Sequence, residues 1–475
     1  MSQEICIDPR TYYLETPQVC EAPLETLPSA SPANSPTGDA FVSTLPPPPP
    51  ASRLAVRDSA TFRAALLRDA FGALPRHEAP HWDSPVAYSL WALFPAACDS
   101  HPPLHNEAGG DSSEGGFDGG DAETPPALSL TGFTTHDTAP CGAAGLVTDL
   151  DEGLGVCANY ATNDHHLFSW DPARPGAAAS IIPLTWAPDQ VLRAADGEIF
   201  ITTHQNPGLA AVRPEEGSES HHPFPASLPT SATSSSGRAL AAIRPAYPKG
   251  LVEIEGQVFI ATSNYDEVHD DYQPGTVLAF QRATGNFGVL STSGYNPTSV
   301  GVADGRLLVV SSGAVDRNGL ATTDGFLDVF DPLSHDLVRS IPLGQRGAGV
   351  SGEISLSPDG GTAYLPTADN SGRILAVNLN NGTLREISMT AAGVSGARIF
   401  FPSLQVGEDG RYGIAANFND GKVYPLDLTS GTLSAPPLAI DGDTADGEGL
   451  SDGLRIGADY FVGLGPRLLR LQADR

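Results

Sequence analysis

The run GTAYLPTA at residues 361–368 decides the fold, because a glycine followed by strand-forming residues recurs six more times along the chain. The other copies are GVCANYAT (155–162), GEIFITTH (197–204), GQVFIATS (256–263), GRLLVVSS (305–312), GRYGIAAN (410–417) and GADYFVGL (457–464). Neighbouring copies start 42 to 59 residues apart, and most are flanked by further short strands such as KGLVEIE before and GTVLAF after. Seven four-stranded units of this size are typical of a β-propeller, in which each blade buries a face against its neighbour.

We therefore predict an all-β, seven-bladed β-propeller over residues 128–475. The alternative is a β-sandwich, but sandwich strands need not recur in groups of four with one glycine anchor. The last unit ends with RLLRLQ and lacks an outer strand, whereas residues 128–134, LSLTGFT, precede the first unit without a partner. We expect residues 128–134 to pair with residues 467–472 as the fourth strand of the last blade, which removes an exposed sheet edge.

Residues 355–384, SLSPDGGTAYLPTADNSGRILAVNLNNGTL, resemble the YVTN-type propeller repeat. The shared elements are S-P-D-G, a strand, an Asn/Asp-rich loop, a second strand and an N-x-x-x-G turn. The resemblance covers residues 140–475 and implies the propeller fold. Propellers of this type are often periplasmic or surface-associated, and the resemblance implies no particular reaction, since a fold does not define a function.

Composition divides the chain into three parts. Residues 1–98 hold eleven prolines in the first 50 positions and are expected to be largely disordered, with a short amphipathic helix at residues 58–74. Residues 99–127 carry seven acids and no base, which predicts a flexible acidic Gly/Ser tether. We expect no stable structure at residues 17–52 and 99–127, and the propeller at residues 128–475.

The charge of the chain excludes several classes of partner. The formal net charge is −30, which argues against nucleic acid as a partner and against direct docking on anionic lipid. No run of 18 apolar residues is present, and the first ten residues, MSQEICIDPR, do not form an ordinary signal peptide. The expected partner is a protein or small molecule, with a cationic one favoured, and the membrane is expected to be reached only through a lipid tether.

Cys98 is a candidate lipidation site. It closes the run SLWALFPAAC, which is similar to a lipoprotein signal, with Ala96 and Ala97 at the small-residue positions and the acidic tether following. Pro95 stands where an aliphatic residue is usual, and more than 80 residues precede the apolar run. The alternatives are therefore a bacterial envelope lipoprotein, in the periplasm or at the surface, a secreted protein, or an ordinary apolar helix followed by a linker.

Cys141 and Cys157 are expected to remain unpaired. They flank a hairpin with its turn near residues 150–153, which places Cys157 opposite about residue 146. Cys141 lies five residues further along the strand, which is roughly 16 Å at about 3.3 Å per residue. A disulfide requires Cα atoms within about 7 Å of each other.

Two long loops are candidates for a binding face. They are SNYDEVHDDYQPG (263–275) and SSGAVDRNGLATTDG (311–325), which occupy equivalent positions in neighbouring blades. Their acids form the predicted face, namely Asp266, Glu267, Asp270, Asp271, Asp316 and Asp324. Such a surface attracts a cation or a basic partner. The alternative interpretation is solvated loop charge without a function.

A partial calcium-loop pattern occurs at residues 441–452, DGDTADGEGLSD. Asp441, Asp443 and Asp452 stand at calcium-loop positions 1, 3 and 12, but Ala445 and Asp446 break the pattern at positions 5 and 6. These three aspartates are a candidate Ca²⁺ site. The alternative is an acidic turn between blades.

The sequence thus favours a non-catalytic binding or scaffold module of the bacterial cell envelope, with the acidic loops as its ligand face. The alternative is a metal-dependent hydrolase of the lactonase type, with carboxylates converging on the propeller axis. These two functions differ in one structural feature, which is whether three or four ligand groups converge on one axial cation position.

Overall fold

The computed structural model describes residues 127–137, 141, 146–151, 153–159, 163–174, 180–204, 206–315, 321–345, 350, 352–367, 373–389, 403–417, 421–440 and 450–474. The predictions for residues 1–98 and 99–126, including the helix at residues 58–74 and the lipidation site Cys98, fall outside these ranges. Within the described residues, no helix has the length and apolar character needed to cross a lipid bilayer.

The described chain is built from β-strands joined by turns. The first seventeen are β1 (Ser129–Asp137), β2 (Leu146–Asp151), β3 (Leu154–Ala158), β4 (His165–Ser169), β5 (Ser180–Leu184), β6 (Pro188–Arg193), β7 (Ile199–Thr203), β8 (Gly208–Arg213), β9 (Ser218–Pro223), β10 (Leu228–Pro229), β11 (Ala242–Ile243), β12 (Pro248–Ile254), β13 (Gln257–Thr262), β14 (Tyr265–Asp266), β15 (Asp271–Tyr272), β16 (Pro274–Gln281) and β17 (Asn286–Tyr295). The others are β18 (Pro297–Ala303), β19 (Arg306–Ser311), β20 (Gly325–Phe330), β21 (Leu337–Gly344), β22 (Ser355–Leu356), β23 (Thr362–Pro366), β24 (Arg373–Asn378), β25 (Leu384–Ser388), β26 (Ser403–Val406), β27 (Tyr412–Asn417), β28 (Lys422–Asp427), β29 (Thr432–Leu433), β30 (Leu438–Ala439), β31 (Leu450–Ile456), β32 (Asp459–Leu464) and β33 (Arg467–Asp474).

These strands form seven antiparallel blades, as predicted. Blades 1 to 4 are β2-β3-β4-β5, β6-β7-β8-β9, β12-β13-β16-β17 and β18-β19-β20-β21. Blades 5 to 7 are β22-β23-β24-β25, β26-β27-β28-β29 with β30 also paired to β28, and β31-β32-β33-β1. Two small hairpins, β10-β11 and β14-β15, are additions to this pattern.

The ring closes as the sequence predicted. β1 pairs antiparallel with β33, with Gly132 opposite Gln472 and Phe133 opposite Leu471. The strand nearest the start of the described chain therefore becomes the outer strand of blade 7. This pairing joins the two ends of the propeller and leaves β33 without a free edge.

The recurring glycine has a conformational cause. It lies in the turn between the first and second strands of a blade, where Glu255 and Gly256 have φ values of 53° and 74°. Asp304 and Gly305 repeat this pattern with φ values of 49° and 68°. Two successive residues with positive φ define the tight hairpin turn that matches strand twist, and glycine adopts this conformation without steric cost.

The hydrophobic core lies between the blades, with one buried cluster at each of the seven blade interfaces. In β7, Ile201 packs toward blade 1 and Phe200 packs toward blade 3. Successive side chains of a strand point to opposite faces, and both faces of a blade are covered. This explains why the second strand of each blade is almost continuously apolar.

The expectation for Cys141 and Cys157 is wrong, because the two form a disulfide with Cα atoms 5.3 Å apart. The hairpin register was close to expectation, with Val147 opposite Cys157. However, β2 begins at Leu146, so the chain does not continue straight to Cys141. β1 belongs to blade 7 and β2 to blade 1, and Cys141 is buried beside Cys157 in the cluster between these blades.

Candidate metal centre

The innermost strand of each blade lines the propeller axis, and several of these strands carry a bulge near their start. The register shifts lie between Val147 and Asp149 in β2, between Pro188 and Val191 in β6, and between Leu450 and Gly453 in β31. A bulge inserts an unpaired residue and changes the direction of nearby side chains. The bulged segments therefore present polar side chains that a regular strand would direct between the blades.

Three carboxylates converge at this level, and we call them the axial carboxylate cluster: Asp149, Glu353 and Asp452. One oxygen from each lies within 4.8 Å of the others. Asp149 belongs to blade 1 and Asp452 to blade 7, whereas Glu353 immediately precedes blade 5 on the other side of the ring. Side chains from these three blades can meet only near the axis. The cluster is therefore a product of ring closure.

Backbone hydrogen bonds hold two of the carboxylates in place. The N–H of Leu150 donates to Asp452 Oδ2 at 2.9 Å, and the N–H of Val191 donates to Asp149 Oδ2 at 2.6 Å. Each aspartate thus binds the innermost strand of the following blade. Because one oxygen of each is fixed in this way, the carboxyl groups are oriented without a basic side chain.

The electrostatics of the cluster are unfavourable to three negative charges. Burial raises the pKa of Asp149 well above its ordinary value, and the charges of Glu353 and Asp452 raise it further. Burial and the charge of Asp452 likewise raise the pKa of Glu353. Burial raises the pKa of Asp452 to about 7. None of the described Lys or Arg side chains forms an ion pair with these three residues, so the cluster favours protons or a bound cation.

The geometry suits a hard divalent cation. Calcium binds oxygen ligands at about 2.3–2.6 Å, and three oxygens within 4.8 Å of one another can reach one such ion. Asp149 and Asp452 are 5% and 4% exposed, whereas Glu353 is only partly buried. Calcium takes about six to eight oxygen ligands, so three carboxylates would leave positions for ligands from outside the protein.

One of these residues, Asp452, was predicted from the sequence as a metal ligand, but in a different kind of site. Asp452 was assigned to a calcium loop, but the structure places it within β31, in the axial carboxylate cluster. Asp441 and Asp443 lie outside the described residues. Asp149 and Glu353 were missed. One sequence feature is shared by all three acids of the cluster and could have identified them. Each acid stands five to eight residues before the glycine that opens the second strand of its blade, and these glycines are Gly155, Gly361 and Gly457.

The two long acidic loops do meet, as expected from their equivalent positions. Tyr265 and Tyr272, at the ends of the hairpin of residues 265–272, pack against Ala314 from the neighbouring loop. Glu267 and Asp324 are exposed. Asp316 lies outside the described residues.

The acids of the hairpin of residues 265–272 are partly neutralised by a residue that sequence analysis did not consider. Arg238 Nη2 lies 2.7 Å from Asp266 Oδ2 and 2.8 Å from Asp271 Oδ1. Asp270 Oδ1 accepts a hydrogen bond from the hydroxyl of Tyr265 at 2.6 Å. Arg238 comes from the long connection between blades 2 and 3. The signal for this connection was the largest spacing between glycine runs, 59 residues.

Solved structures similar to this chain support the fold. A streptogramin B lyase structure aligns with a TM-score of 0.50 and 12% identity, covering 73% of this chain and 98% of that one. The virginiamycin B lyase from Staphylococcus aureus aligns with a TM-score of 0.51 and 12% identity, covering 73% and 99%. No protein-family model and no curated protein sequence matches the chain. At this identity the likeness shows the seven-bladed propeller fold alone.

Proposed function

We propose that the axial carboxylate cluster binds a divalent cation, with Ca²⁺ the best fit, and that the protein is a cation-dependent hydrolase of small esters or lactones. The observation that carries the proposal is the convergence of Asp149, Glu353 and Asp452 from three blades on one point. This convergence is what distinguishes the hydrolase from the binding module in the sequence analysis. It supports the hydrolase over the acidic loop face as the functional centre.

A divalent cation at this place supplies charge that polarises a substrate carbonyl and lowers the pKa of a bound water. The protein's own part is orientation and exclusion of solvent. The backbone N–H groups of Leu150 and Val191 fix the two aspartates, so the ligand oxygens do not have to reorganise when a cation binds. Burial of Asp149 and Asp452 strengthens their electrostatic effect on any group bound beside them.

The test is hydrolysis of p-nitrophenyl acetate and of γ- and δ-lactones by the full chain, with Ca²⁺ or with EDTA. We expect activity with Ca²⁺, loss of activity in EDTA, and loss in the Asp149→Asn and Asp452→Asn variants. The matched control is Asp324→Asn, which changes an exposed loop acid and should keep full activity. Activity that persists in EDTA or in Asp452→Asn contradicts the proposal. Binding of Ca²⁺ without hydrolysis of any of these compounds would reduce the site to a structural cation site.

The second candidate is a binding or scaffold module that uses the acidic loops. It is favoured by the contact between the two long loops and by the exposure of Glu267 and Asp324. Its partner would be a protein or small molecule with positive charge, and the net charge of −30 argues against nucleic acid as a partner. We place it second because Arg238 offsets part of the negative charge.

We further propose that the protein is a YVTN-type propeller that acts outside the cytoplasm. The N-x-x-x-G turn of this repeat is supported by the Asn378 side chain, which accepts hydrogen bonds from the N–H groups of Asn380 and Asn381. Asp331 and Asp427 make the same turn in blades 4 and 6. These turns repeat the Asn/Asp signature at equivalent positions.

The disulfide supports a location outside the cytoplasm, because disulfides persist mainly in oxidising compartments. A bacterial envelope lipoprotein anchored at Cys98 is the form we propose, with secretion as the alternative. Mass spectrometry of the protein from its native membrane fraction tests this. A lipid-modified Cys98 at the N-terminus is expected, and recovery of peptides from residues 60–97 in the mature membrane-bound form would contradict it.

A further inference from the structure

Three successive blades present a polar residue at the same level of their innermost strands. β6, β12 and β18 each begin with proline, at Pro188, Pro248 and Pro297, and each has a register shift directly after it. The residue that follows the proline is Asp189 in blade 2, Lys249 in blade 3 and Thr298 in blade 4. Because bulged residues occupy equivalent places in these strands, the three side chains form one polar segment of the channel wall.

This segment contains buried polar atoms that have no hydrogen-bond partner among the described residues. Asp189 Oδ2 and Thr298 Oγ1 are two of them, and His204 Nδ1 is a third. His204 is 5% exposed. Its backbone N–H donates to the carbonyl of Ala187 at 3.2 Å, which places His204 beside the start of β6. An orphaned buried polar atom destabilises the fold, so such atoms in a channel wall indicate a partner supplied from outside the chain.

The charges in this segment restrict the chemistry of that partner. Burial, with a smaller effect of the positive charge of Lys249, lowers the pKa of His204 to about 3, so the ring is neutral at pH 7. Lys249 disfavours a cationic ligand at this place, and the carboxyl group of Asp189 disfavours an anionic one. A hydroxyl group both donates and accepts hydrogen bonds, and it can therefore satisfy a carboxyl oxygen, a threonine hydroxyl and either tautomer of histidine.

We propose that Asp189, Lys249 and Thr298, with His204 beside them, bind neighbouring hydroxyl groups of a small neutral polyol or sugar-like molecule. Asp189 and Lys249 are both partly exposed, so solvent from the channel reaches this segment. The proposal deepens the proposed function and rests on it only for the claim that this ligand is the substrate. Binding itself needs no cation, because none of the four residues belongs to the axial carboxylate cluster.

The test is ligand-observed saturation-transfer NMR on the full chain in EDTA, with sorbitol, myo-inositol and D-glucose as probes. We expect at least one probe to bind, and we expect the amine of the same skeleton as sorbitol, 1-amino-1-deoxysorbitol, to bind about tenfold more weakly. Asp189→Asn and Thr298→Val should each weaken binding about fivefold or more, since each removes one hydrogen-bonding group at nearly constant volume. Lys422→Met is the matched control for Lys249→Met, because these are the only two lysines of the chain.

Absence of binding for all three neutral probes would overturn the inference, and so would Asp189→Asn, Lys249→Met and Thr298→Val variants that all bind as the parent does. If a variant fails to fold, the comparison of sorbitol with its amine on the parent protein still decides. The two proposals fail separately. Polyol binding in EDTA without Ca²⁺-dependent hydrolysis contradicts only the proposed function, whereas Ca²⁺-dependent hydrolysis without polyol binding contradicts only this inference.

Discussion

The axial carboxylate cluster and the hairpin of residues 265–272 are both rich in acids, but their negative charge is compensated in different ways. In the hairpin, Arg238 binds both Asp266 and Asp271, and hydrogen bonds from Arg238, Ser234 and Ser236 lower the pKa of Asp271 below its ordinary value although burial alone would raise it. In the axial cluster, burial and mutual repulsion raise the pKa of all three acids. The comparison indicates that the hairpin is complete without a partner, whereas the axial cluster requires protons or a cation.

The largest expected effect is on stability in the absence of a cation. Asp452→Asn should stabilise the protein relative to the parent at pH 7, by at most about 4 kcal/mol for a folded pKa of about 7, and by little at pH 4. Between the unfolded pKa near 3.9 and the folded pKa near 7, the folded state binds more protons than the unfolded state, so the parent loses stability as pH rises. Urea unfolding in EDTA at pH 4 and pH 7 measures this difference.

The free energy of unfolding of the variant has to be compared with that of the parent, because other titratable groups change the stability with pH in the opposite direction. The lowered pKa of His204 makes the parent more stable as pH rises toward 6.5, which would mask the effect of Asp452 in a single profile. The same stability difference at both pH values would show that Asp452 is not held in a destabilising environment.

The second effect concerns cation binding. Ca²⁺ should raise the thermal midpoint of the parent at pH 7, because a ligand that binds only the folded state stabilises it by about 2.7 kcal/mol at 100 times its dissociation constant. Asp149→Asn should weaken Ca²⁺ binding by about 10- to 100-fold, as measured by isothermal titration calorimetry. Asp324→Asn is the control, and weaker Ca²⁺ binding in Asp324→Asn with unchanged binding in Asp149→Asn would assign the Ca²⁺ site to the loops.

The sequence predicted the fold in more detail than the site. The glycine runs predicted seven blades, and the unpartnered strand at residues 128–134 predicted ring closure, because both depend on local strand pattern and on the need to cover an edge. Asp149 and Glu353 are about 200 residues apart. Their meeting depends on strand register and on the closed ring, and the sequence pattern specifies neither.

The disulfide and Arg238 were missed for a related physical reason. The Cys141–Cys157 estimate assumed a straight strand where the chain crosses between blades. Arg238 lies 28 residues before Asp266 in a connection whose path the strand pattern does not define. Connections between blades thus account for these two features, whereas the axial carboxylate cluster depends on register and ring closure.

A smaller effect is expected from breaking the ion pairs of the hairpin. Arg238→Met should destabilise the protein by about 1–2 kcal/mol at pH 7, because Asp271 is 4% exposed and would lose its basic partner, while Arg238 itself is partly solvated. Asp271 has a lowered folded pKa, so this contribution is present above the unfolded pKa and is lost as pH falls through the folded value. Urea unfolding should show a smaller loss at pH 3 than at pH 7, because protonation of Asp271 begins to remove this contribution below the unfolded pKa. An unchanged stability at pH 7 would mean that the hairpin acids do not depend on Arg238.

The smallest effect on stability is expected from the exposed part of the acidic loops. Glu267→Gln and Asp324→Asn together should change the free energy of unfolding by less than about 0.5 kcal/mol, as surface substitutions usually do. If the loops bind a basic partner, the same double variant should weaken that binding most at low salt, because screening shortens the reach of exposed charges. Calorimetry with a short polyarginine peptide at 20 and 200 mM salt measures this. Equal binding by variant and parent at low salt would remove the loops as a binding face.

The most direct test of the central claim is a crystal structure of the full propeller grown with Mn²⁺ as an anomalously scattering substitute for Ca²⁺. We predict one strong anomalous peak on the axis, with oxygens of Asp149, Glu353 and Asp452 at about 2.1–2.6 Å from it. The peak should be absent in crystals of Asp452→Asn grown in the same way. Anomalous peaks at other positions with none between these three carboxylates would contradict the account.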